Sequence, residues 1–240
     1  MFNDNYIAVL QMKYFFLVSL IVFSNCNTKK DNFGIGQIKV NSVFCKYDID
    51  ANRLNYKKFK LFKKGENITE IIIPKNKDSI IHNLEFGEYY IEYKTIYNQK
   101  NITEFTISES KCKEIELCYD YLNYQSNKNI LLLDELLEND YLTIFFESQG
   151  CFHSEKDKMK VTKSKKTLVV EYRGIKYNLT PSQTKTLREF EIELRSNHSD
   201  GCSTVDSYSI FNDNESFSMT DGSCLWRGFD NLITLLKLKN

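Results

Sequence analysis

The chain has 240 residues, of which 42% are hydrophobic and 14% aromatic, which is enough for one large or two small domains with apolar cores. Lysine plus arginine and aspartate plus glutamate each number 32, so the formal net charge is zero. The chain has no net positive charge and no extended basic stripe, and we therefore expect no nucleic-acid partner.

A short apolar run follows Met12-Lys13 and extends from Tyr14 to Phe23. It is too short to span a membrane comfortably, since a spanning helix needs about 20 apolar residues. A positive residue, a short apolar core and then polar residues are typical of a secretory signal. We predict a signal peptide over residues 1–25, with Met12 as the true initiator. An uncleaved anchor helix and a buried first helix are the alternatives.

The run ends in Val22-Phe23-Ser24-Asn25-Cys26, and a polar, charged segment follows. This pattern resembles the lipobox of bacterial lipoproteins, particularly the relaxed form found in Bacteroidota. The resemblance implies that the preceding peptide is cleaved, that Cys26 carries the lipid, including palmitate, and that residues 26–35 form a tether. It also implies a location in the cell envelope, at the outer membrane or the periplasmic face, where several acyl chains give stable anchoring.

Residues 36–122 alternate apolar with polar side chains, which predicts a domain of short β-strands arranged as a sandwich. The predicted strands are 37–46, 56–63, 70–73, 79–84, 88–95, 102–108 and 113–119. Within them, Leu84-Glu85-Phe86-Gly87-Glu88-Tyr89 resembles a signature of prealbumin-like and Cna-B-like sandwiches. In those families the glycine permits a tight turn and the tyrosine packs against the opposite sheet. The resemblance implies a spacer or adhesive module.

Residues 127–240 predict a small α+β domain with an antiparallel sheet and a C-terminal helix. The expected helices are 128–139 with Asn127 as its cap, a second one from Pro181 to about Ser196 with Thr180 as its cap, and 226–238. The expected strands are 141–147, 158–162, 167–172, 175–179, 203–211 and 215–219. Glu189, Glu191 and Glu193 alternate along the second helix, and we interpret them as a solvated face.

Seven cysteines are more than a cytosolic protein of this size usually carries. If Cys26 carries lipid, six remain as disulfide candidates: Cys45, Cys112, Cys118, Cys151, Cys202 and Cys224. Cys112 and Cys118 lie about 20 Å apart on one extended strand and should not pair with each other, whereas Cys45 can bridge to either. Cys202 with Cys224 is the favoured pair in the second domain, and Cys151 with Cys202 is the alternative. The remaining cysteines then form an interdomain bridge from Cys151 to Cys112 or Cys118, or stay free.

Two segments, Gly150-Cys151-Phe152-His153 and His198-Ser199-Asp200-Gly201-Cys202, hold two imidazoles and two thiols. Zinc accepts these ligand types, so Cys151, His153, His198 and Cys202 form a zinc hypothesis, although no Cys-x-x-Cys clip is present. We expect no metal, because exported thiols usually oxidise. No nucleophile elbow or phosphate-binding glycine loop occurs, so we expect no catalytic residues and no cofactor.

The sequence therefore predicts a non-catalytic lipoprotein of the envelope with a binding or assembly role. Its expected partners are the membrane, through the N-terminal lipid, and an envelope protein or glycan. The alternative is an envelope enzyme or enzyme inhibitor with a site near Cys151, His153, His198 and Cys202.

Overall fold

The computed structural model describes residues 34–47, 54, 58–66, 69–72, 78–196 and 201–238. Within these ranges the fold is mostly β, with thirteen strands in three sheets and three α-helices. The strands are β1 Ile35–Val43, β2 Phe59–Lys63, β3 Thr69–Ile72, β4 Asp78–Glu85, β5 Gly87–Lys94, β6 Lys100–Ile107, β7 Cys112–Cys118, β8 Tyr141–Gln149, β9 Ser154–Ser164, β10 Thr167–Tyr172, β11 Ile175–Asn178, β12 Val205–Phe211 and β13 Ser216–Asp221. The helices are α1 Leu132–Glu135, α2 Pro181–Leu194 and α3 Gly228–Leu235.

The first seven strands form two sheets that pack face to face. One has the order β4-β1-β7, with β1 and β7 parallel, and the other has the order β3-β2-β5-β6. A Cβ atom added to Gly36 on β1 would lie 2.5 Å from the side chain of Ile107 on β6. The rings of Tyr93 and Tyr119, one from each side, have centroids 5.1 Å apart. The close approach of the two sheets explains why β1 needs glycine at position 36.

The motif around Gly87 lies where the chain leaves one sheet for the other. Strand β4 ends at Glu85 and β5 begins at Gly87, so only Phe86 separates them. Tyr89 is buried, stacks on Phe105 of the neighbouring strand with centroids 5.6 Å apart, and donates its hydroxyl proton to the carbonyl of Glu85 at 2.8 Å. The hydrogen bond from this tyrosine therefore links the four-stranded sheet, which contains β5, to the end of β4 in the three-stranded sheet.

The remaining six strands form an antiparallel sheet in the order β11-β10-β9-β8-β12-β13. On β8 the side chains of Leu142, Ile144 and Phe146 are buried, while those between them are partly exposed, as expected for a sheet with one covered face. Helices α2 and α3 cover the buried face, where Phe229 of α3 stacks on Phe146 with centroids 4.9 Å apart. We call the opposite side, which the helices leave uncovered, the open face.

The predicted helix over residues 128–139 is wrong in extent, because only Leu132–Glu135 are helical. Its cap is wrong too: Leu131, not Asn127, directly precedes the helix, and the Glu191 carboxylate accepts the N–H groups of Leu132 and Leu133. Asn123 accepts the backbone N–H groups of a separate short 3-10 turn over Tyr124–Ser126. The leucine run is buried at four positions, Leu131, Leu132, Leu133 and Leu136, whereas Ile130 and Leu137 are each 72% exposed. Three consecutive buried leucines do not fit one helical face, so a short turn buries them instead.

The second helix begins as predicted. The Thr180 hydroxyl accepts the Gln183 N–H while the Gln183 side chain accepts the Thr180 N–H, and Pro181 occupies the first turn. The last helix is shorter than the predicted 226–238, because the fully buried Trp226 precedes it and its ring packs on Gly228.

Buried apolar side chains from all three sheets form one continuous cluster. The boundaries predicted at 36–122 and 127–240 therefore divide a shared core, and the two-domain division stays a prediction. The tether and the signal peptide lie outside the described residues, except for 34 and 35.

Candidate functional site

Cys202 and Cys224, the pair that the sequence favours, form a disulfide. The zinc hypothesis consequently loses a ligand, since a disulfide sulfur has no thiolate to offer a metal. His198 lies outside the described residues. Across the part of the chain that the structure describes, no three His, Cys, Asp or Glu side chains are placed to hold a metal ion.

The second disulfide joins Cys45, just after β1, to Cys118 at the end of β7. Cys112 is disulfide-bonded as well. Cys151 is a free, exposed thiol in the turn between β8 and β9. The proposed bridges from Cys151 to Cys112, Cys118 or Cys202 are therefore all wrong. Disulfides of this kind are typical of an oxidising compartment outside the cytoplasm.

The turn that holds Cys151 borders a cleft of about 530 Å³. Ser148 on β8 donates its proton to a carboxylate oxygen of Asp206 on β12 at 2.6 Å, and His153 Nε2 lies 3.0 Å from the same hydroxyl. Strand pairing places four polar residues side by side across the sheet: Glu155 on β9, Ser148 on β8, Asp206 on β12 and Asp221 on β13. The row lies on the helix-covered face and lines the cleft together with Asp230 of α3; Ser148 and Asp221 are buried.

Burial raises the pKa of Asp206 above its ordinary value, and the neighbouring Asp221 and Asp230 add to the rise, while the Ser148 hydrogen bond opposes it. The environment thus makes ionisation of the Asp206 carboxyl group less favourable than it is in water. Sequence patterns could not identify this pair, because Ser148 and Asp206 meet only through the pairing of β8 with β12.

These residues do not form a serine nucleophile with its base. A catalytic histidine lies between the serine and the carboxylate, accepting from one and donating to the other. Here the serine lies between the other two and gives its single proton to Asp206, which leaves His153 to act as the donor to Ser148. The hydrogen bonds of Ser148 link β8, β12 and the β8–β9 turn at one end of the sheet, which is a structural role.

A second polar group lies where the first two sheets meet helix α2, and the interpretation of Glu189, Glu191 and Glu193 as a solvated face is wrong. Glu191 and Glu193 are only 2% and 0% exposed, respectively. The Glu193 carboxylate accepts from Lys46 Nζ at 2.7 Å, Tyr124 hydroxyl at 2.5 Å and Trp226 Nε1 at 2.9 Å, and from the Tyr47 hydroxyl as well. Burial beside this carboxylate raises the pKa of both tyrosines, which stay protonated donors.

Neighbouring carboxylates complete this group. Asp120 accepts the backbone N–H groups of Cys45, Lys46 and Tyr47 and so fixes the loop that brings Lys46 to Glu193. Glu191 accepts the N–H groups of Leu132 and Leu133 at 2.7 and 3.1 Å, at the start of α1. Every one of these contacts joins distant parts of the chain, so the group holds the halves together.

The open face has a different character. It carries a concavity of about 550 Å³ whose lining includes Thr143 and Phe145 on β8, Lys158 and Lys160 on β9, and Phe211 on β12. Strand register places Thr143 opposite both Lys160 and Phe211, and Phe145 opposite Lys158, so these side chains form a contiguous surface. The Phe211 side chain is 39% exposed there. No short sequence motif marks this surface, although the alternation along β8 and β9 indicates it.

Comparisons with known proteins give little further guidance. No family model matches the chain, and no curated protein is significantly similar to it. Among solved structures, the Bacillus anthracis TIE protein aligns with 11% sequence identity and a TM-score of 0.34, over 78% of this chain and 31% of that one. The chain thus spans about a third of the length of that structure. Separately, the described part of the chain contains no helix that is long and apolar enough to cross a membrane.

Proposed function

We propose that this chain is a lipid-anchored protein of the cell envelope with a non-catalytic binding role, and that the open face is its binding surface. One observation carries the proposal. The helices cover one face of the six-stranded sheet and leave a concave surface of mixed aromatic, hydroxyl and basic side chains on the other. Partly exposed apolar side chains in a concavity are typical of surfaces that bind a ligand or partner.

The anchor rests on the lipobox-like segment ending in Cys26 and on the disulfides, which fit an exported protein. The two packed sheets of residues 35–118 would act as a spacer of the prealbumin-like or Cna-B-like kind, between the tether and the six-stranded sheet. The expected partner is an envelope protein or glycan.

The anchor is tested by Cys26→Ala. We expect the wild-type protein to incorporate labelled fatty acid and to sediment with membranes, and the variant to lose both properties. Cys151→Ala, which removes a free and exposed thiol, should keep the lipid and serve as the control. Mass spectrometry of the peptide containing Cys26 gives the decisive measurement. A Cys26 found unmodified or joined to another cysteine would contradict the anchor.

The binding role is tested by co-sedimentation of the Cys26→Ala protein, which has no lipid to hold it to membranes, with isolated cell envelopes. Phe211→Glu places a charge on the open face and should abolish co-sedimentation. Ile175→Glu makes the same kind of change at a 48% exposed position on the edge strand β11 and should have no effect. Equal co-sedimentation of the two variants would show that the open face is not the binding surface.

A further inference from the structure

We infer that the ligand of the open face is an anionic glycan, held by the ammonium groups of Lys158 and Lys160 and by the rings of Phe145 and Phe211. This inference rests on the proposed binding role of that face and specifies the chemistry of its ligand. It depends on three properties of the surface: its net positive charge, its aromatic rings and its lack of free backbone hydrogen-bonding groups.

The lining of the concavity carries a net positive charge. Its basic side chains are Lys158, Lys160 and Arg173 and its acidic ones Asp157 and Glu171, which leaves a formal charge of +1. Arg173 is neutralised by Asp157, whose carboxylate lies 2.8 Å from the guanidinium. Glu171 is opposite Lys160 in strand register and lies 3.9 Å from Lys176, which is outside the lining. Lys158 and Lys160 have no acidic partner within 4 Å among the described residues, and Lys160 lies over the ring of Tyr141 at 3.8 Å from its centroid. The excess of positive charge therefore favours anionic groups of a ligand.

The aromatic rings lie beside these charges. Phe145 is directly opposite Lys158 on the neighbouring strand, and Ser209 is opposite Phe145 on the other side. Phe211 follows two residues after Ser209 on the same face of β12. Rings next to hydroxyl groups and ammonium groups offer a sugar chain an apolar surface for its C–H groups and polar partners for its hydroxyl and carboxylate groups.

An acidic peptide fits this surface less well. An extended peptide gains most of its affinity by pairing its backbone with an exposed strand edge. The open face is the middle of a sheet, where β9 pairs with β8 and β10, and β8 pairs with β9 and β12. Their N–H and C=O groups are used within the sheet, so the face offers side chains alone. A glycan has no backbone amides that must be satisfied in this register.

The test measures binding of the full-length protein, in detergent micelles, to four immobilised polymers: polygalacturonate, hyaluronate, neutral dextran and poly-glutamate. We expect at least one of the two uronic-acid polymers to bind, more tightly than dextran and poly-glutamate. The affinity should fall as salt is raised from 0.05 to 0.5 M, because salt screens charge pairs at an exposed surface.

Two matched double variants locate the charge. Lys158→Gln with Lys160→Gln should weaken binding about tenfold, equivalent to about 1.4 kcal/mol. Lys165→Gln with Lys166→Gln removes the same charge from the exposed β9–β10 turn, outside the concavity, and should leave affinity within about twofold. All four positions are exposed, so urea unfolding of both double variants should match the wild type.

The possible results separate the two proposals. Failure of both uronic-acid polymers to bind, or equal binding of dextran, would overturn the glycan inference. Tighter binding of poly-glutamate would assign the face to an acidic peptide instead. If envelopes still co-sediment in a way that depends on Phe211, the binding role stands and only the ligand class is wrong. If that co-sedimentation fails as well, the proposed function fails with it.

Discussion

Lys46 and Glu193, which are 147 residues apart in the chain, meet with the lysine Nζ 2.7 Å from the carboxylate. The carboxylate is fully buried, and the lysine side chain is 23% exposed. Lys46 belongs to the loop after β1 and Glu193 to helix α2, so the pair joins the first two sheets to the helical cover of the third. Two tyrosine hydroxyls and the Trp226 indole complete the shell of the carboxylate.

Glu193→Gln should destabilise the protein by about 3–5 kcal/mol, the usual cost of breaking a buried pair by changing one partner. The amide keeps the volume but turns an N–H group toward donors and leaves Lys46 without its buried counter-charge. Urea unfolding, followed by fluorescence of Trp226, measures the change.

Glu189→Gln provides the matched control. Glu189 also contacts Lys46, at 2.9 Å, but it lies nearer the surface, with 18% of its side chain exposed. Its loss should cost about 1 kcal/mol or less. Equal effects of the two substitutions would refute the central role of Glu193.

The two disulfides that join described cysteines should differ in their effect on stability. Cys45–Cys118 closes a loop of 73 residues and Cys202–Cys224 a loop of 22. In the chain-entropy description, removing them by paired Ser substitutions costs about 4 and about 3 kcal/mol, respectively. Chemical unfolding of each double variant checks the order, and a larger cost for the shorter loop would contradict it.

Cys151 should react with a thiol reagent in the folded, unreduced protein, because it is free and exposed. Cys202 and Cys224 should react only after reduction. Peptide mapping after maleimide labelling measures both, with Cys151→Ser as the control that removes the early signal. Labelling of Cys202 without a reductant would contradict the pairing with Cys224.

Asp206 should make stability depend on pH. Burial raises its pKa in the folded state above the value of about 3.9 for an unfolded aspartate. The folded state therefore binds the proton more tightly, and the free energy of unfolding should fall as pH rises through the interval between the two pKa values. Asparagine has no such proton and can still accept from Ser148.

Accordingly, Asp206→Asn should gain stability relative to the wild type at pH 7 and differ little from it at pH 3. Urea unfolding at pH 3, 5 and 7 gives the comparison. Glu215→Gln, at an exposed position in the β12–β13 turn, should show no such trend. A difference for Asp206→Asn that is the same at all three pH values would refute the explanation.

Strands were more predictable from this sequence than helices, since alternation is a local property. Strand β10 has its predicted bounds, 167–172, and β5 and β7 differ from theirs by one residue at each end. Half of residues 128–139 are apolar and their spacing satisfies a helical pattern, but the burial of Leu131, Leu132 and Leu133 depends on α2, whose Glu191 accepts two of their N–H groups. That contact spans almost sixty residues and leaves no local signal.

The polar residues were the least predictable. Glu189, Glu191 and Glu193 alternate like an exposed face, and nothing near them in the sequence shows that Lys46 and Tyr124 supply donors. The disulfide between Cys202 and Cys224 could be predicted from the sequence, because the hairpin between these cysteines brings the chain back to the same end of the sheet. The contact of Ser148 with Asp206 could not be predicted without knowing that β8 pairs with β12.

The position of β1 has a mechanical consequence. It is the central strand of its sheet, bonded to β4 on one side and to β7 on the other. A force applied at the amino-terminal end of β1 would act along the strand. The backbone hydrogen bonds that join β1 to β4 and to β7 would then be loaded in shear and would resist the force together. Beyond the far end of β1, the Cys45–Cys118 bond would still connect the chain to β7 if both sets of hydrogen bonds failed. A protein held by its amino-terminal segment could thus bear tension from a bound partner without unfolding of the two sheets that β1 to β7 form.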